Sequence, residues 1–224
     1  MDSRLTDFVF TQFGITGLVL IVILGAAYTL SVELAKLRTD LQQQLAKDLL
    51  NRRFEAYSRL WAKLRPLAIY ADHPLTPTSI TALSTELSDW YFSTEGGLFL
   101  TTRCRDFYFA LQDTLRFAQD LQGWTCDKRP LEPKELFENL LRQLAREEKI
   151  SFDVCQLKEP EKIDPKVWLS VCQQVEERLR SLNAAATPQV GEWLFATIQQ
   201  VSSVLRTNLA HELHSRLELR LPAP

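Results

Sequence analysis

The chain is poor in the residues that punctuate sheets and in the motifs that carry chemistry. Seven glycines occur in 224 residues, and runs of alternating β-branched and polar residues are scarce. Leu, Ala, Gln, Glu and Arg dominate, and all are good helix formers. An all-α fold class is expected. Charge of one sign is lacking too: the formal net charge is -2, so there is no global basic surface of the kind nucleic-acid binding relies on. Nucleic acid is not expected as a partner. Cysteine is sparse, with Cys104, Cys126, Cys155 and Cys172 forming no CxxC pair. Disulfide frameworks belong mostly to small, Cys-dense secreted chains. The four therefore read as separate reduced thiols that pack as small apolar groups. Disorder is excluded by a composition of 46% hydrophobic and 24% charged residues, close to that of ordinary globular chains.

Catalytic patterns are missing as well. Gly96-Gly97 has neither the preceding strand nor the GxxxxGK[ST] spacing of a phosphate loop. No Ser sits in a GxSxG elbow, and no Cys has a His nearby in sequence to activate it. The paired Glu-x-x-His motifs of di-metal bundles are absent. In His211-Glu212-Leu213-His214 the histidines are three apart, whereas a metalloprotease helix needs i and i+4 with Glu following the first. Zinc there would need a further ligand from elsewhere. Exposed polar residues of a helix are the plainer reading. No catalytic, cofactor-binding or metal residue is expected. A membrane-bound enzyme or metal-binding bundle using His211 and His214 stands as the alternative.

What is present begins with a long uncharged segment. Between Asp7 and Glu33 no charged residue occurs, and the run Ile15-Thr16-Gly17-Leu18-Val19-Leu20-Ile21-Val22-Ile23-Leu24 lies within it. A bilayer needs roughly 20 helical residues, so residues 13–32 are expected to be a transmembrane helix in contact with lipid. Tyr28 suits the headgroup region. A cleaved signal peptide would need a positive n-region, but the start carries Asp2, Arg4 and Asp7. The helical pattern also continues unbroken through Leu30, Leu34, Leu37, Leu41, Leu45 and Leu49. Arg4 alone precedes the span, while Lys36, Arg38 and Lys47 follow it. The positive-inside rule then puts the body in the cytoplasm.

Punctuation maps the rest. No proline occurs before Pro66 and no glycine between Gly25 and Pro66, which predicts one helix running on to about residue 65. Its leucines are mostly four apart, so a regular heptad coiled coil is not demanded. Thr76-Pro77, Glu132-Pro133, Asp164-Pro165 and Thr187-Pro188 each place proline at a first helical position, and three of them follow a good N-cap side chain. Helices are predicted from about 77, 133, 165 and 188, with another from Thr102 to Gly123. Loops are expected at 66–76, 92–101, 123–132, 149–164 and 184–187. Leu136, Phe137, Leu140, Leu141 and Leu144 make one apolar face. Trp168, Val171, Cys172, Val175 and Leu179 make another, and Leu194, Ile198, Val201, Leu205 and Leu209 a third. Such stripes pack together as an antiparallel bundle. The expected division is a short extracytoplasmic tail (1–12), the membrane helix (13–32), a polar stalk helix (33–65), a cytoplasmic helical bundle (66–219) and a frayed tail (220–224).

Two local features invite a functional reading. Arg52, Arg53, Arg59, Lys63 and Arg65 could meet anionic headgroups or a phosphate-bearing partner, but Asp48 and Glu55 dilute them, and a solvated helix face is the plainer account. Trp90, Tyr91 and Phe92 face Leu98, Phe99 and Leu100 across Gly96 and Gly97. Positive φ at the glycines would let the chain reverse tightly and fold both apolar groups into the core. A partner-binding patch is the alternative.

Several of these residues resemble a pattern found in uncharacterised bacterial, single-pass membrane-anchored helical proteins. The matching pieces are Arg53-Phe54-Glu55-Ala56-Tyr57 with Leu60-Trp61, then Pro66-Leu67, Leu75-Thr76-Pro77, and Leu87-Ser88-Asp89-Trp90-Tyr91-Phe92. They continue through Gly96-Gly97-Leu98-Phe99-Leu100-Thr101, Arg103-Cys104-Arg105-Asp106-Phe107-Tyr108-Phe109-Ala110-Leu111-Gln112 and Leu205-Arg206-Thr207. Thr101 stands where the pattern more often has Ser, and Gly96-Gly97 where it often has three glycines. The resemblance implies a bacterial source and an N-terminal membrane helix leading into a long polar helix, and it carries over no enzymatic activity. Together these features lead us to expect a tethered cytoplasmic module that binds an unknown protein partner or self-associates through its stalk. A defence effector acting on the membrane is a further alternative, although Gly14, Gly17 and Gly25 form no GxxxG.

Overall fold

The computed structural model describes residues 3–218 apart from 69–74, 95, 122, 125, 127–129, 131, 148, 149, 151 and 185–188. Of these, the side chains of 3–16, 18, 19, 21 and 215–218 are also outside the description. Seven α-helices occupy the described residues: α1 Ser3–Lys63, α2 Pro77–Phe92, α3 Gly96–Phe99, α4 Thr102–Asp120, α5 Pro133–Arg146, α6 Pro165–Ala184 and α7 Val190–Glu218. The only strand-like pairing among them is one isolated bridge between Leu75 and Cys126. The fold is an all-α helical bundle, and the chain divides into two compact units, Met1–Asn51 and Arg52–Pro224.

In the first unit, α1 continues without interruption through the expected boundary at residue 32. The expectation of a transmembrane helix at 13–32 is not supported here: among the described residues, no helix is long and apolar enough to cross a membrane. Residues 13–16, 18, 19 and 21 of that span lie outside the described side chains. About 20 residues counted from Val22, the length a bilayer needs, run on through Glu33, Lys36, Arg38 and Asp40.

The second unit begins inside α1, whose last turns bury Ala56, Tyr57, Leu60 and Leu64. Pro66 stands in a 3-10 turn, Arg65–Leu67, just past the helix end. Proline placement explains the starts of α2, α5 and α6. Thr76 caps α2 through a reciprocal pair with Ser79, its hydroxyl accepting from the Ser79 backbone N–H at 3.2 Å. Asp164 Oδ1 accepts from the Lys166 N–H at 2.8 Å. Glu132 makes no side-chain cap, leaving α5 to rely on Pro133 alone. The expected start at Pro188 and the frayed tail at 220–224 lie outside the described residues. Two expected loops contain helix: 92–101 holds α3, and 149–164 holds the 3-10 turns Val154–Lys158 and Pro160–Lys162. Such short turns carry too few residues to show periodicity in sequence.

Helix α7 is the centre of the core, packing against α4, α5 and α6. The expected one-sided stripe of Leu194, Ile198, Val201, Leu205 and Leu209 is present. Phe195, Ala196 and Val204 are buried beside it, and so are Thr197, Gln199, Gln200, Ser202 and Asn208. A helix covered on all sides can satisfy its polar groups only locally, and Gln199 Oε1 and Ser202 Oγ stay without a partner among the described residues. Thr197 donates to the Trp193 carbonyl at 2.8 Å and Asn208 to that of Val204 at 2.9 Å. No disulfide joins the four cysteines; Cys104, Cys126 and Cys172 are buried and Cys155 is exposed.

Between α4 and α6 sits a half-buried acid, Glu176, which accepts a hydrogen bond from the Thr114 hydroxyl at 3.1 Å. Burial raises its pKa to about 7, with neighbouring Asp113 adding to the rise and Thr114 and Arg180 opposing it. The folded protein therefore holds this proton more tightly than the unfolded chain. The stabilisation is fully present below the ordinary carboxylate pKa near 4.5 and is lost as pH rises through 7. Glu176→Gln, neutral at every pH, is expected to gain about 2 kcal/mol relative to wild type between pH 4.5 and 8, after allowance for solvent screening. Urea denaturation of both proteins at the two pH values checks this. An unchanged difference would show that Glu176 titrates normally.

Candidate functional site

The segment joining α2 to α4 gathers most of the unusual side chains, but not as one plug. Trp90 is 1% exposed, its ring tilted against Tyr108 at 5.8 Å. Tyr91, half-buried, stacks on Tyr108 at 5.0 Å and an interplanar angle of 17°. Leu100 is buried and Phe99 packs partly against the core. Phe92 and Leu98, in contrast, are 74% and 78% exposed. The expectation that all six side chains turn inward is therefore corrected. In a helix, Trp90 and Phe92 are two positions apart and cannot share a face.

The glycines also act differently from the expected turn. Gly96 and Gly97 open α3 with helical backbone, and the positive-φ glycine among the described residues is Gly123, at φ 77°. What Gly96 and Gly97 provide is the absence of a Cβ. One at Gly96 would lie 2.4 Å from the Trp90 ring, and one at Gly97 2.7 Å from the Tyr91 ring. Close approach of backbone to a ring is the second reason a chain uses glycine.

The Tyr108 ring under this cluster is fixed at its far end. Its hydroxyl donates to the Leu87 carbonyl at 2.8 Å and accepts from Gln112 Nε2 at 2.8 Å. Burial pushes its pKa up to about 12, so it stays protonated and keeps donating.

Beside the aromatic segment, three elements meet on the carboxylate of Glu212 in α7. The Tyr57 hydroxyl of α1 donates to it at 2.9 Å, and the Thr101 hydroxyl donates to its other oxygen. The Thr101 hydroxyl oxygen also caps α4, accepting from the Cys104 N–H at 3.2 Å. Burial and the nearby Glu212 charge raise the pKa of the Cys104 thiol, and burial above all raises that of Tyr57. Both remain neutral donors rather than nucleophiles. Arg53 Nε reaches the Phe99 carbonyl at 3.0 Å, fixing the end of α3. One turn up α7, Asn208 Oδ1 accepts from Arg103 Nε at 2.8 Å, and Arg103 also donates to the carbonyls of Glu161 and Ile163, both at 2.6 Å. The arrangement is a staple of satisfied groups. Its chemistry is positioning.

His211 and His214 are both exposed on α7. No group of three His, Cys, Asp or Glu side chains among the described residues could hold a metal ion. In the sequence, Tyr57, Thr101 and Arg103 stand out only as parts of a family pattern, Arg53 as part of that pattern and of a basic stretch, and Glu212 only as a residue between two histidines. The available signal was the spacing of Asn208 and Glu212, one turn apart on the side of α7 that carries Leu205 and Leu209. Comparison with known proteins gives no match to any family model, curated protein or solved structure.

Proposed function

We propose that the protein is a single-pass, membrane-tethered helical module with its compact unit in the cytoplasm, acting without catalysis and self-associating through the leucine row of α1. The observation that carries this reading is the exposure of Leu30, Leu34, Leu37, Leu41, Leu45 and Leu49, between 52% and 65% each, along one helix of the first unit. Six leucines in a row at helical spacing, left in water, are costly at roughly 25 cal/mol per Å² of apolar surface. A second copy of the helix is the simplest cover. Glu33 and Arg38, five positions apart beside the row, suit the cross-helix ion pair of a parallel pair, and parallel is the arrangement a shared membrane imposes. The uncharged sequence over 8–32 supports the tether, together with the exposure of Leu20, Val22, Ile23 and Leu24. The likeness to bacterial membrane-anchored helical proteins points the same way.

Sedimentation of the purified chain in non-ionic detergent tests self-association. The wild type is expected to be dimeric, and Leu37→Glu with Leu41→Glu to be monomeric at the same concentration. A monomeric wild type, or a variant of unchanged mass, would sink the reading. For the tether, a reporter active only in the cytoplasm, fused after Pro224, is expected to give signal.

One observation favours a second reading, a docking surface for another protein. Phe92 and Phe109 both lie against the Tyr91 ring, at 4.8 and 5.3 Å, and both are exposed. Exposed aromatic groups of this kind mark interaction sites.

A further inference from the structure

Arg52 and Arg59, which sequence alone assigns to a solvated helix face, stand on the wall of a cleft of about 380 Å³ in the second unit. They are seven residues apart in α1, two turns up the same side and roughly 10 Å along the axis. Long flexible side chains at that spacing can converge on one group between them. Glu55, Ala56, Trp90, Thr94, Gly96 and Phe99 complete the wall.

Trp90 contributes the decisive feature. Its indole Nε1–H is buried and has no hydrogen-bond acceptor among the described residues. An unpaired buried donor costs about 1–3 kcal/mol, and native structures keep few without a reason. The Thr94 hydroxyl in the same wall already donates to the Trp90 carbonyl at 2.7 Å, so it offers only acceptor capacity. The cleft wall therefore carries two exposed guanidinium groups and the ring of Trp90, whose buried indole N–H lacks an acceptor among the described residues.

Glu55 is the competing charge. It lies 3.9 Å from Arg59, with both side chains about two-thirds exposed, at 67% and 65%. A pair so exposed is worth about 0–1 kcal/mol. Guanidinium groups bind phosphate more strongly, through charge-assisted and often bidentate bonds. A tetrahedral oxyanion also presents acceptors out of one plane, as donors from α1 and α2 require, while a carboxylate presents two oxygens in a plane.

We propose that this cleft binds a phosphate group, with Arg52 and Arg59 as its cationic clamp and the Trp90 indole N–H as the inner donor. A soluble phosphate compound and a phospholipid headgroup share this chemistry.

The test follows the indole N–H resonances of the full ¹⁵N-labelled chain in maltoside micelles, which contain no phosphate. The Trp90 resonance is the one that disappears in Trp90→Phe. Inorganic phosphate is titrated in one arm, and phosphatidic acid doped into the micelles in another. Chloride at matched ionic strength is the control. The Trp90 proton is expected to move downfield and saturate with phosphate but not with chloride. Arg52→Ala with Arg59→Ala is expected to weaken binding at least about tenfold while leaving the other indole resonances in place, and Glu55→Gln to strengthen it. Movement in the phosphatidic acid arm alone supports the site with a headgroup as its source. A Trp90 resonance that stays still in both arms, or that moves equally in the double arginine variant, overturns the proposal.

Discussion

Replacing Trp90 by Ala is expected to cost about 3–5 kcal/mol of folding stability, a large share of the 5–15 kcal/mol typical of a domain. The ring is almost wholly buried between α2, α3 and α4, with Tyr108 on one side and Gly96 on the other. Phe92→Ala, two residues on, removes a side chain that is mostly in water and should change stability by less than about 0.5 kcal/mol. Gly96→Ala adds a methyl where the Trp90 ring already is and should cost about 1–3 kcal/mol. In the Trp90→Ala background the same methyl has room, so its cost should largely vanish. Thermal and urea melts of the four proteins measure this coupling. Equal melting of wild type and Trp90→Ala would remove the packing account. Additive losses in the double variant would show that Gly96 is there for another reason.

The second large effect belongs to Arg103. One guanidinium joins α4 to α7 through Asn208 and to the turn before α6 through the carbonyls of Glu161 and Ile163, while lying 5.2 Å from the centre of the Phe107 ring. Arg103→Met keeps the stem but leaves three acceptors without their donor. Hydrogen bonds to charged groups are worth about 1.5–3 kcal/mol each, and a partner left buried and unpaired costs more. A loss of about 3–4 kcal/mol is expected. Arg103→Lys should recover little, since one ammonium cannot reproduce the planar fork. Urea midpoints of the three proteins are the measurement. Recovery by Lys to near wild type would mean that charge, not geometry, holds these segments together.

What could be read in the sequence follows from how far apart the determining residues are. The starts of α2, α5 and α6 depend on adjacent residues, as in Thr76-Pro77 and Asp164-Pro165, and were legible. Helix α3 has four residues and forms against Trp90 and Tyr91, so no periodicity announces it. Apolarity marked Trp90, Tyr91 and Phe92 as unusual, but only packing decides that the first is buried and the last exposed. Gly96 shows the same limit: a glycine can mean positive φ or close approach, and the two differ only once the Trp90 ring is placed. Glu212 was further out of reach. Its donors Tyr57 and Thr101 lie 155 and 111 positions away, and the one local sign is its place a turn from Asn208 on the side of α7 that carries Leu205 and Leu209.

The central place of α7 also bears on how the protein comes into being. Its neighbours α4, α5 and α6 are all synthesised before it, and each lays part of its apolar surface on α7. Until a ribosome has released residues 190–213, that part of each helix stays uncovered. A nascent chain that exposes apolar helices meanwhile is open to aggregation. The second unit should therefore depend on chaperone protection for most of its synthesis and close late, in a single cooperative step. Truncation within α7 should expose it to proteolysis far more than truncation within α1.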